Sequence, residues 1–514
     1  MTIAPPTATR NLRQDYLSGS QPLRSFYQYE IANIDFPSLI EAKSQENPDR
    51  EALCRVIRTQ YKGLTMSAAT EENLRSLALP NTFTLTTGHQ LILFGGPLYT
   101  LYKVASAIRL AEDLHTRFPE QHFVPVFWIH TEDHDYEEIN HYYDRLGRKH
   151  TYEGSFRSKV GSHILNEDIL KLIPDNIPPA LAAAYQPGRD LADATRRFFH
   201  QLFDRYGLII LDADHPDLKA QFRPVILEEL TQSASFEAVT ETSRQMEEAG
   251  YPLQIHPREI NLFYMDAEGR NRIVREGKGF GLADRKLHFS YDEMMRLAQE
   301  HPERFSPNVC LRPLYQEMIL PNLVYIGGWG ELSYWLQLKG VFDHFGVNFP
   351  AVIPRFAATV LPQGWLQEWE GMGFSVTDIG RPVFELERKF LPQVWSDAPM
   401  KARIEEILAH IRQLESYISS ELSPTLARSA AALSVKNQRF LENIQKKALR
   451  VVKSRHSALF TRITTLRSQV QPGDTPQERI WSLAALEEVS PEDFVRQVME
   501  RCSPLDYTHQ YLQL

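Results

Sequence analysis

The sequence predicts an α/β protein, with a doubly wound parallel sheet followed by an α-helical coiled-coil arm. Short apolar runs alternate along the chain with helical segments, an order that favours parallel strands joined by crossover helices. Some of these runs are apolar at every position, as is typical of strands buried on both faces. Polar clusters follow most of the runs, and ligands bind at the carboxyl ends of the strands in such sheets. We therefore expect the functional residues at these strand ends.

The composition is that of a globular protein and argues against several other classes. The chain has 514 residues, 43% hydrophobic and 24% charged, which is enough for more than one core. A net charge of −9 argues against a nucleic-acid binder held by bulk charge. The three cysteines are far apart and form no CxxC motif, so we expect no disulfide scaffold and a cytoplasmic location. The polar, proline-broken N-terminal stretch predicts no signal peptide, and no apolar run approaches the roughly 20 residues that span a membrane.

The first predicted strand and the helix after it organise the expected site. Residues 83–86 favour a strand, and residues 88–90, Gly-His-Gln, form a turn at its end. Pro97 is predicted to open a helix, because proline fits the first helical turn. One face of this helix is apolar, at Leu101, Val104, Ile108, Ala111 and Leu114. The free N–H groups at its start, residues 95–98, predict an anion site, with Lys103 one and a half turns further on.

Four further strands are predicted in the same sheet, and three of them end in polar clusters. The strands are residues 122–129, 206–211, 323–326 and 351–354. The clusters are residues 130–135, 212–215 and 327–331. A separate hairpin is predicted from alternating residues around a glycine-containing turn, with strands at 260–265 and 272–274.

From about residue 395 the pattern changes to two long helices. The first has a seam spaced three and four residues apart, at Ile404, Ile407, Ile411, Leu414 and Ile418. The second runs to about Val470 and has apolar residues along one side, at Leu426, Leu433, Phe440, Ile444 and Val451. We predict an antiparallel helical hairpin that self-associates into a homodimer. The predicted domains are residues 1–394 for the α/β core, 395–471 for the arm, and 472–514 for a segment that packs back on the core.

Four segments carry a resemblance to a known family. They are TTGHQLILFGGPLYTLYK (86–103), PVFWIHTEDHDYEEINH (125–141), SPNVCLRPLYQEMILPNLVYIGGWGELSYWLQLK (306–339) and PQERIWS (476–482). Together they resemble the cysteine-adding enzymes of bacillithiol biosynthesis, the BshC family. The resemblance implies a Rossmann-like core related to the HxGH nucleotidyltransferases, with insertions, and a coiled-coil domain that promotes dimerisation. The HxGH pattern would place histidine at position 86, where this chain has Thr86, so only Gly88 and His89 match it.

The reaction that the resemblance implies joins L-cysteine to the amine of glucosaminyl malate. A carboxylate must be activated for this step, so ATP or ADP with Mg²⁺ is the expected cosubstrate, and no tightly bound cofactor is expected. Because histidine and lysine can stabilise phosphoryl charge, we expect His89, Gln90 and Lys103 to act in catalysis. Glycines allow close approach to the backbone, and those expected to bind the nucleotide are Gly88, Gly95, Gly96, Gly327 and Gly328. In the competing interpretation, His89 and Gln90 only cap the turn.

Asp133 and His134 are also expected in catalysis. The acid can bind an ammonium group, and the histidine can accept the proton of the amine near neutral pH. An arginine fork suits the carboxylates of malate. The residues expected to bind substrate are therefore Tyr99, Asp135, Asn308, Arg312, Tyr315, Glu331 and Tyr334. The structural alternatives are a solvated helix start for the acids, a salt bridge for Arg312 and core packing for Tyr334, while Cys310 is expected in the core.

Two other functions remain open from the sequence. A metal-dependent hydrolase could draw its ligands from His130, Glu132, His134, Asp135, Asp212, Asp214 and His215, although their spacing is not HExxH. In the preferred interpretation there is no metal ligand of this kind. The coiled coil also allows a non-catalytic interaction protein, although the intact polar strand ends argue against that. The expected partners are small-molecule substrates and a second copy of the chain, without nucleic acid or membrane.

Overall fold

The structure is a computed structural model that describes residues 10–153 and 158–513. The chain forms two compact units. The first reaches to Ala358 and takes up Glu478–Gln510, and the second comprises Thr359–Gln477 and Tyr511–Leu514. The sequence-based boundary at residue 394 differs from this division. The physical reason is that Trp365, Trp369 and Phe390 belong to the apolar core of the second unit.

The strands, in chain order, are β1 Thr82–His89, β2 His122–Ile129, β3 His141–Tyr143, β4 Lys149–Thr151, β5 Ile209–Asp212, β6 Leu262–Asp266, β7 Gly269–Glu276, β8 Gly279–Leu282, β9 Arg285–Ser290, β10 Phe305–Pro307, β11 Asn322–Gly327, β12 Ala351–Pro354, β13 Ala358–Leu361 and β14 Gln510–Gln513. The helices of the first unit are α1 Leu12–Leu17, α2 Phe36–Ser44, α3 Arg50–Gln60, α4 Ala68–Ser76, α5 Tyr99–Arg117, α6 Tyr136–Ile139, α7 Pro179–Ala182, α8 Leu191–Phe203, α9 Pro216–Gln232, α10 Ala234–Glu248, α11 Tyr291–Glu300, α12 Arg312–Ile319, α13 Trp329–Gln337, α14 Lys339–Phe345 and α20 Pro491–Arg501. Those of the second unit are α15 Trp365–Gly371, α16 Val383–Val394, α17 Ala398–Tyr417, α18 Pro424–Arg455 and α19 Ser457–Val470.

The central sheet has the order β12-β11-β1-β2-β5, and all of its neighbouring strands are parallel. The chain builds one half outward from β1 through β2 to β5, and the other half from β11 to β12. This is the doubly wound α/β arrangement that the sequence predicts. The strands are almost entirely buried, with every residue of β11 and β12 in the core. Continuous apolar runs are therefore what these strands require.

The predicted hairpin is part of a second, antiparallel sheet of order β10-β6-β7-β8-β9. Its core is the pair β6 and β7, in which Phe263 lies opposite Arg272. β10 pairs with β6 and brings Ser306 and Pro307 beside it. Arg270, which follows the turn Asp266–Gly269, is thereby held against this sheet, since its guanidinium donates to the hydroxyl of Ser306 at 3.1 Å.

The second unit contains the predicted helical hairpin. α17 and α18 pack against each other after the chain turns at Ser423. Of the predicted seam, Ile404 is buried, whereas Leu414 and Phe440 are 57% and 64% exposed. α15, α16 and α19 enclose a separate apolar core around the stacked rings of Trp365 and Trp369. Within the part of the chain that the structure describes, no helix has both the length and the apolar character to cross a membrane.

Candidate active site

The polar ends of the central strands meet at one edge of the sheet. His89 ends β1 opposite Ile129 in β2, and the N–H of His130 donates to the carbonyl of His89 at 3.0 Å. β5 and β11 end at the same edge, at Asp212 and Gly327. The structure thus brings together the four polar clusters that the sequence predicts at strand ends. Parallel strands place their carboxyl ends side by side, which is why four distant segments converge.

Two cavities open at this edge, and they differ in the charged residues that border them. The acidic cavity has a volume of about 210 Å³ and is bordered by the charged residues Glu132, Asp133, Asp214, Arg270 and Arg312. The basic cavity has a volume of about 420 Å³ and is bordered by the charged residues Lys103, Glu331, Arg355 and Arg479. Both cavities are bordered by Gln90, His130 and Tyr334. These three residues form a shared wall.

A buried ion pair forms the floor of the basic cavity. Nζ of Lys103 lies 2.5 Å from Oε2 of Glu331 and donates to the carbonyl of Gly88 at 2.8 Å. Burial lowers the pKa of Lys103, and the charge of Glu331 opposes that effect. Burial would raise the pKa of Glu331, but the charge of Lys103 and the N–H of Gly328 outweigh it and lower the pKa to about 2. Glu331 is therefore ionised at neutral pH and faces the ammonium of Lys103.

His89 is neutral and its two ring nitrogens are engaged. Nε2 lies 2.8 Å from the hydroxyl of Tyr99, and Nδ1 lies 3.2 Å from the carbonyl of Gln90. Since the carbonyl can only accept, Nδ1 carries the proton and Nε2 accepts from Tyr99. Burial, reinforced by the charge of Lys103, lowers the pKa of His89 to about 3. Burial also raises the pKa of Tyr99 to about 12, so the hydroxyl keeps its proton. His89 therefore supplies no positive charge to a bound phosphate.

Two arginines add positive charge to the basic cavity. Arg355 follows β12 and binds Glu478 through two hydrogen bonds, of 2.9 and 2.5 Å. The same guanidinium lies 5.2 Å from the ring centroid of Tyr99. Arg479 is exposed, and its guanidinium has no ion pair or hydrogen bond with residues 10–153 or 158–513. Of the three cations that border the cavity within the described residues, Lys103 is paired with Glu331 and Arg355 with Glu478, which leaves Arg479 unpaired.

Asp133 is the best-anchored acid of the acidic cavity. Oδ2 accepts from the amide of Gln90 at 2.5 Å, and Oδ1 accepts from the backbone N–H of His134 at 2.8 Å. Arg270 lies 3.5 Å from Oδ1. Although burial works in the opposite direction, these hydrogen bonds and the charge of Arg270 hold the pKa of Asp133 well below its usual range. Asp133 is therefore a fixed negative charge.

Arg312 faces the same cavity without a carboxylate partner. Its guanidinium donates to Gln316 at 3.1 Å and to the hydroxyl of Tyr334 at 3.4 Å. Among the residues that the structure describes, no acid lies within ion-pair distance of it. An arginine that retains free donors beside a cavity can bind a carboxylate of a ligand.

Comparison with known proteins decides the family. The family described as "Bacillithiol biosynthesis BshC, N-terminal Rossmann-like domain" matches residues 2–356, and "Bacillithiol biosynthesis BshC, C-terminal coiled-coil domain" matches residues 358–514. The chain belongs to the BshC family. This confirms the resemblance, the Rossmann-like fold class and the coiled-coil domain that the sequence predicts.

Similar curated proteins cover nearly the whole BshC-family chain. A relative from Flavobacterium johnsoniae is 35% identical over 96% of each chain, and one from Cytophaga hutchinsonii is 36% identical over 90% of this chain and 89% of its own. One from Chlorobaculum tepidum is 31% identical over 85% of this chain and 84% of its own. Each is named "Putative cysteine ligase BshC". The predicted enzyme class, a ligase of bacillithiol biosynthesis, is confirmed by these relatives.

Several residues predicted to bind substrate in this BshC-family chain lie elsewhere. Tyr315 is 1% exposed, and its hydroxyl donates to the carbonyl of Ala213 at 2.7 Å. It is a core residue, so that prediction is wrong. Asp135 is exposed and borders neither cavity. Asn308 borders the acidic cavity, but its side chain is bound to Asn261 and to the N–H of Cys310.

His134, the predicted base, is also displaced from the site. It borders neither cavity, its side chain is 48% exposed, and its Nδ1 accepts from Arg270 at 3.2 Å. His130 stands in the shared wall instead, and its Nε2 is buried with no hydrogen-bond partner among the described residues. A Cβ at Gly88 would lie 2.8 Å from that nitrogen, so glycine is needed there to admit the ring. Cys310 is buried, as predicted, and burial raises its pKa to about 12.

The expected anion site at the start of α5 does not form. α5 begins at Tyr99, two residues beyond Pro97, and the N–H of Leu98 donates to the carbonyl of Trp481 at 2.7 Å. The N–H of Gly96 donates to the carbonyl of Leu93 at 3.2 Å. Two of the donors expected to face an anion, the N–H groups of Gly96 and Leu98, are therefore used within the protein.

The five predicted glycines divide between the cavities and the protein interior. Gly88 and Gly328 border the basic cavity, although the N–H of Gly328 is bound by Glu331 at 2.8 Å. Gly327 packs tightly against Tyr325, Glu331 and Leu332. Gly95 and Gly96 pack against Leu483 and Ser482, where any side chain would collide. Close packing explains the glycine pair without a nucleotide.

Several side chains that could have formed the metal site of a hydrolase each have a different partner. Glu132 is paired with Lys219 and accepts from Ser306 at 2.7 Å. Asp214 is 2.5 Å from Lys159, and Nδ1 of His215 caps α9. Across residues 10–153 and 158–513, no group of three or more such side chains converges as a metal site. The structure therefore does not support the hydrolase.

Sequence reasoning missed three arginines of this BshC-family site: Arg270, Arg355 and Arg479. Arg355 directly follows a predicted strand, so the pattern that located the other clusters would also have found it. Arg479 lies in the segment PQERIWS, which carried the resemblance but received no role. Arg270 gave no comparable signal, because its place depends on how the second sheet meets the first.

Proposed function

We propose that this chain joins L-cysteine to the amine of glucosaminyl malate, with ATP activating the carboxylate of cysteine. The observation that carries the proposal is the pair of adjacent cavities with a shared wall of Gln90, His130 and Tyr334, one bordered by the anchored carboxylate of Asp133 and the other by the unpaired guanidinium of Arg479. A condensation of two polar substrates requires two adjacent binding sites and a common boundary where the bond forms.

The acidic cavity suits an amino acid. Asp133 is a fixed negative charge that can bind an α-ammonium group, and Arg312 has free donors for a carboxylate. The basic cavity suits an anion, because Arg479 keeps its guanidinium unpaired beside the ion pairs Lys103–Glu331 and Arg355–Glu478. The carboxylates of malate and the phosphates of ATP both fit that charge. The structure thus supports cysteine in the acidic cavity.

The chemistry requires an activated carboxyl group, because a carboxylate is a poor electrophile. ATP, when bound, supplies the leaving group for the carboxyl carbon. The amine nitrogen then bonds to that carbon, the bond to the leaving group breaks, and the nitrogen loses a proton. Lys103 and Arg355 can stabilise the negative charge on the departing group. The proton goes to solvent, because burial holds the pKa of His130 in the shared wall well below the usual range and makes that imidazole a weak base.

The residues present fit ATP only in part. The free guanidinium of Arg479 and the ammonium of Lys103 suit phosphate oxygens. The helix start that usually serves phosphates is occupied, since the N–H of Leu98 is bound to Trp481. Binding of the nucleotide would therefore depend on side-chain cations rather than on the backbone of α5.

The purified chain, given glucosaminyl malate, L-cysteine and ATP-Mg together, is expected to form bacillithiol, as detected by mass spectrometry. Omission of any one component should remove the product. The accompanying release of AMP or ADP identifies which phosphoryl group is transferred. Product formed without ATP would exclude obligatory activation by ATP, and no product from the complete mixture would overturn the direct ligase reaction.

We also propose that the chain is a homodimer through α17 and α18. Their apolar seam is exposed in the single chain: Leu433 and Phe440 are 55% and 64% exposed. Pairing two copies would bury these side chains. Changing Leu433 and Phe440 to glutamate is expected to shift the sedimentation coefficient from dimer to monomer, while Arg439→Glu, a charge change beside the seam, should not. A monomeric unmodified chain at micromolar concentration would contradict the proposal. The cytoplasmic location stays a prediction from cysteine usage.

A further inference from the structure

The segment 478–482 is anchored on both sides of Arg479. Before it, Glu478 forms its two hydrogen bonds with Arg355, and both side chains are only 8% exposed. After it, the carbonyl of Trp481 accepts from the N–H of Leu98 at 2.7 Å. Ser482 packs directly on Gly96. The backbone that carries Arg479 is therefore fixed relative to β12 and to the start of α5.

The side chain of Arg479 nonetheless has no partner among the residues that the structure describes. It is exposed, and none of its donors is used within residues 10–153 and 158–513. Two carboxylates of the basic cavity and its rim have other partners: Glu478 is held by Arg355, and Glu331 by Lys103. A free cation on a fixed backbone can bind an external anion with little loss of backbone conformational entropy.

Arg479 stands where two cavities meet. One is the basic cavity, and the other is an aromatic cavity of about 350 Å³, bordered by Tyr99, Glu138, His141, Tyr142 and Tyr143. His89, Gln90, Tyr99 and Arg479 border both cavities. The aromatic side chains and the carboxylate of Glu138 suit a cyclic ligand that carries hydroxyl or amino groups. The basic cavity suits an anion. A ligand with both parts would pass directly beside Arg479.

We propose that Arg479 is a specificity-determining residue that binds the carboxylate or phosphate of a substrate whose ring occupies the aromatic cavity. This proposal rests on the proposed ligase reaction for the identity of the two candidate ligands. Glucosaminyl malate would present the carboxylates of malate, and ATP would present phosphates. The guanidinium fork can donate two parallel hydrogen bonds to either anion. An uncharged ring compound lacks the anionic group and could not form this interaction.

The test measures binding to the full chain by calorimetry, so that it does not depend on turnover. The probes are glucosaminyl malate, ATP, and methyl glucosaminide, which lacks the anion. Arg479→Gln is expected to weaken binding of one of the two anionic probes by about tenfold or more, with a smaller effect for Arg479→Lys. Binding of methyl glucosaminide should be unaffected. Arg58→Gln, an exposed arginine on α3 that borders none of the three cavities, is the matched control and should change nothing.

Each outcome decides the proposal. A loss confined to glucosaminyl malate identifies the carboxylates, and a loss confined to ATP identifies the phosphates; the corresponding KM should rise with kcat little changed. No change in either anion, or no binding of either to the unmodified chain, would overturn it, as would an equal loss for methyl glucosaminide. If the binding effect is found but the complete reaction mixture gives no product, the proposed ligase reaction fails while the role of Arg479 stands.

Discussion

Replacing Lys103 by methionine is expected to abolish turnover and to lower the free energy of unfolding by about 3–5 kcal/mol. Nζ of Lys103 is 2.5 Å from Glu331, and the lysine side chain is only 2% exposed. Methionine fills a similar volume but leaves the half-buried carboxylate of Glu331 without its cation. The basic cavity also loses the cation at its floor. The effects are measured as the rate of product formation and as the urea midpoint of unfolding.

Two further variants separate the structural and functional parts of this prediction. Lys103→Met combined with Glu331→Gln removes both charges, so most of the lost stability should return while activity stays absent. Lys43→Met breaks the ion pairs of another buried lysine, with Glu46 at 2.6 Å and Glu317 at 3.4 Å, away from both cavities. It should lower the urea midpoint while leaving the rate of the folded enzyme nearly unchanged. Full activity in Lys103→Met would remove this lysine from the catalytic residues.

The central sheet could be predicted because its strands are buried on both faces. Residues 122–129 and 351–354 were expected as strands, and they form β2 and β12 with the same bounds. Burial on both faces leaves a nearly uninterrupted apolar run, which can be found in the sequence alone. The strand order was not predictable, because it depends on which crossover packs on which face. The convergence of the polar clusters did not require that order, since all parallel carboxyl ends share one edge.

The composition of the site was harder to predict, because a residue type does not reveal where its side chain lies. Tyr315 and Tyr334 lie on neighbouring helices, α12 and α13, yet the first is core and the second borders both cavities. His134 and His130 are four residues apart, and only His130 stands in the shared wall. The rotation of each side chain is set by tertiary contacts. Arg479 reaches the site only because its segment returns to β12 and α5.

The charge of His89 is a second property that could not be predicted from the sequence. A histidine beside a glycine turn has an ordinary pKa near 6.5 in an exposed peptide and would be partly charged at neutral pH. Burial beside Lys103 lowers that pKa to about 3. The role expected for His89, stabilising phosphoryl charge, therefore falls to Lys103 and the arginines. His89 can still orient Tyr99, because its Nε2 accepts a hydrogen bond from the hydroxyl of Tyr99 at 2.8 Å.

Replacing Gly96 by alanine is expected to displace the segment 478–482 and to abolish most of the activity. The added Cβ would lie 2.1 Å from Cβ and 2.9 Å from Cα of Ser482, which is closer than any real contact. The backbone must move, and overpacking of this kind costs about 1–3 kcal/mol. Movement of Ser482 would strain the hydrogen bond from Leu98 to Trp481 and the pair of Arg355 with Glu478. The urea midpoint and the rate of product formation should fall together.

This substitution also distinguishes the two interpretations of the glycine pair. If Gly96 contacted a nucleotide, alanine would raise the KM for ATP and leave the urea midpoint unchanged. If it serves packing, adding Ser482→Gly to Gly96→Ala removes the 2.1 Å collision and should recover part of both stability and rate. Gly371→Ala, in the second unit, has no atom within 4 Å of the added Cβ and should be tolerated. Recovery by Ser482→Gly would show that Gly96 holds the segment 478–482 in place. Gly96 would then affect the basic cavity only indirectly, through the position of Arg479.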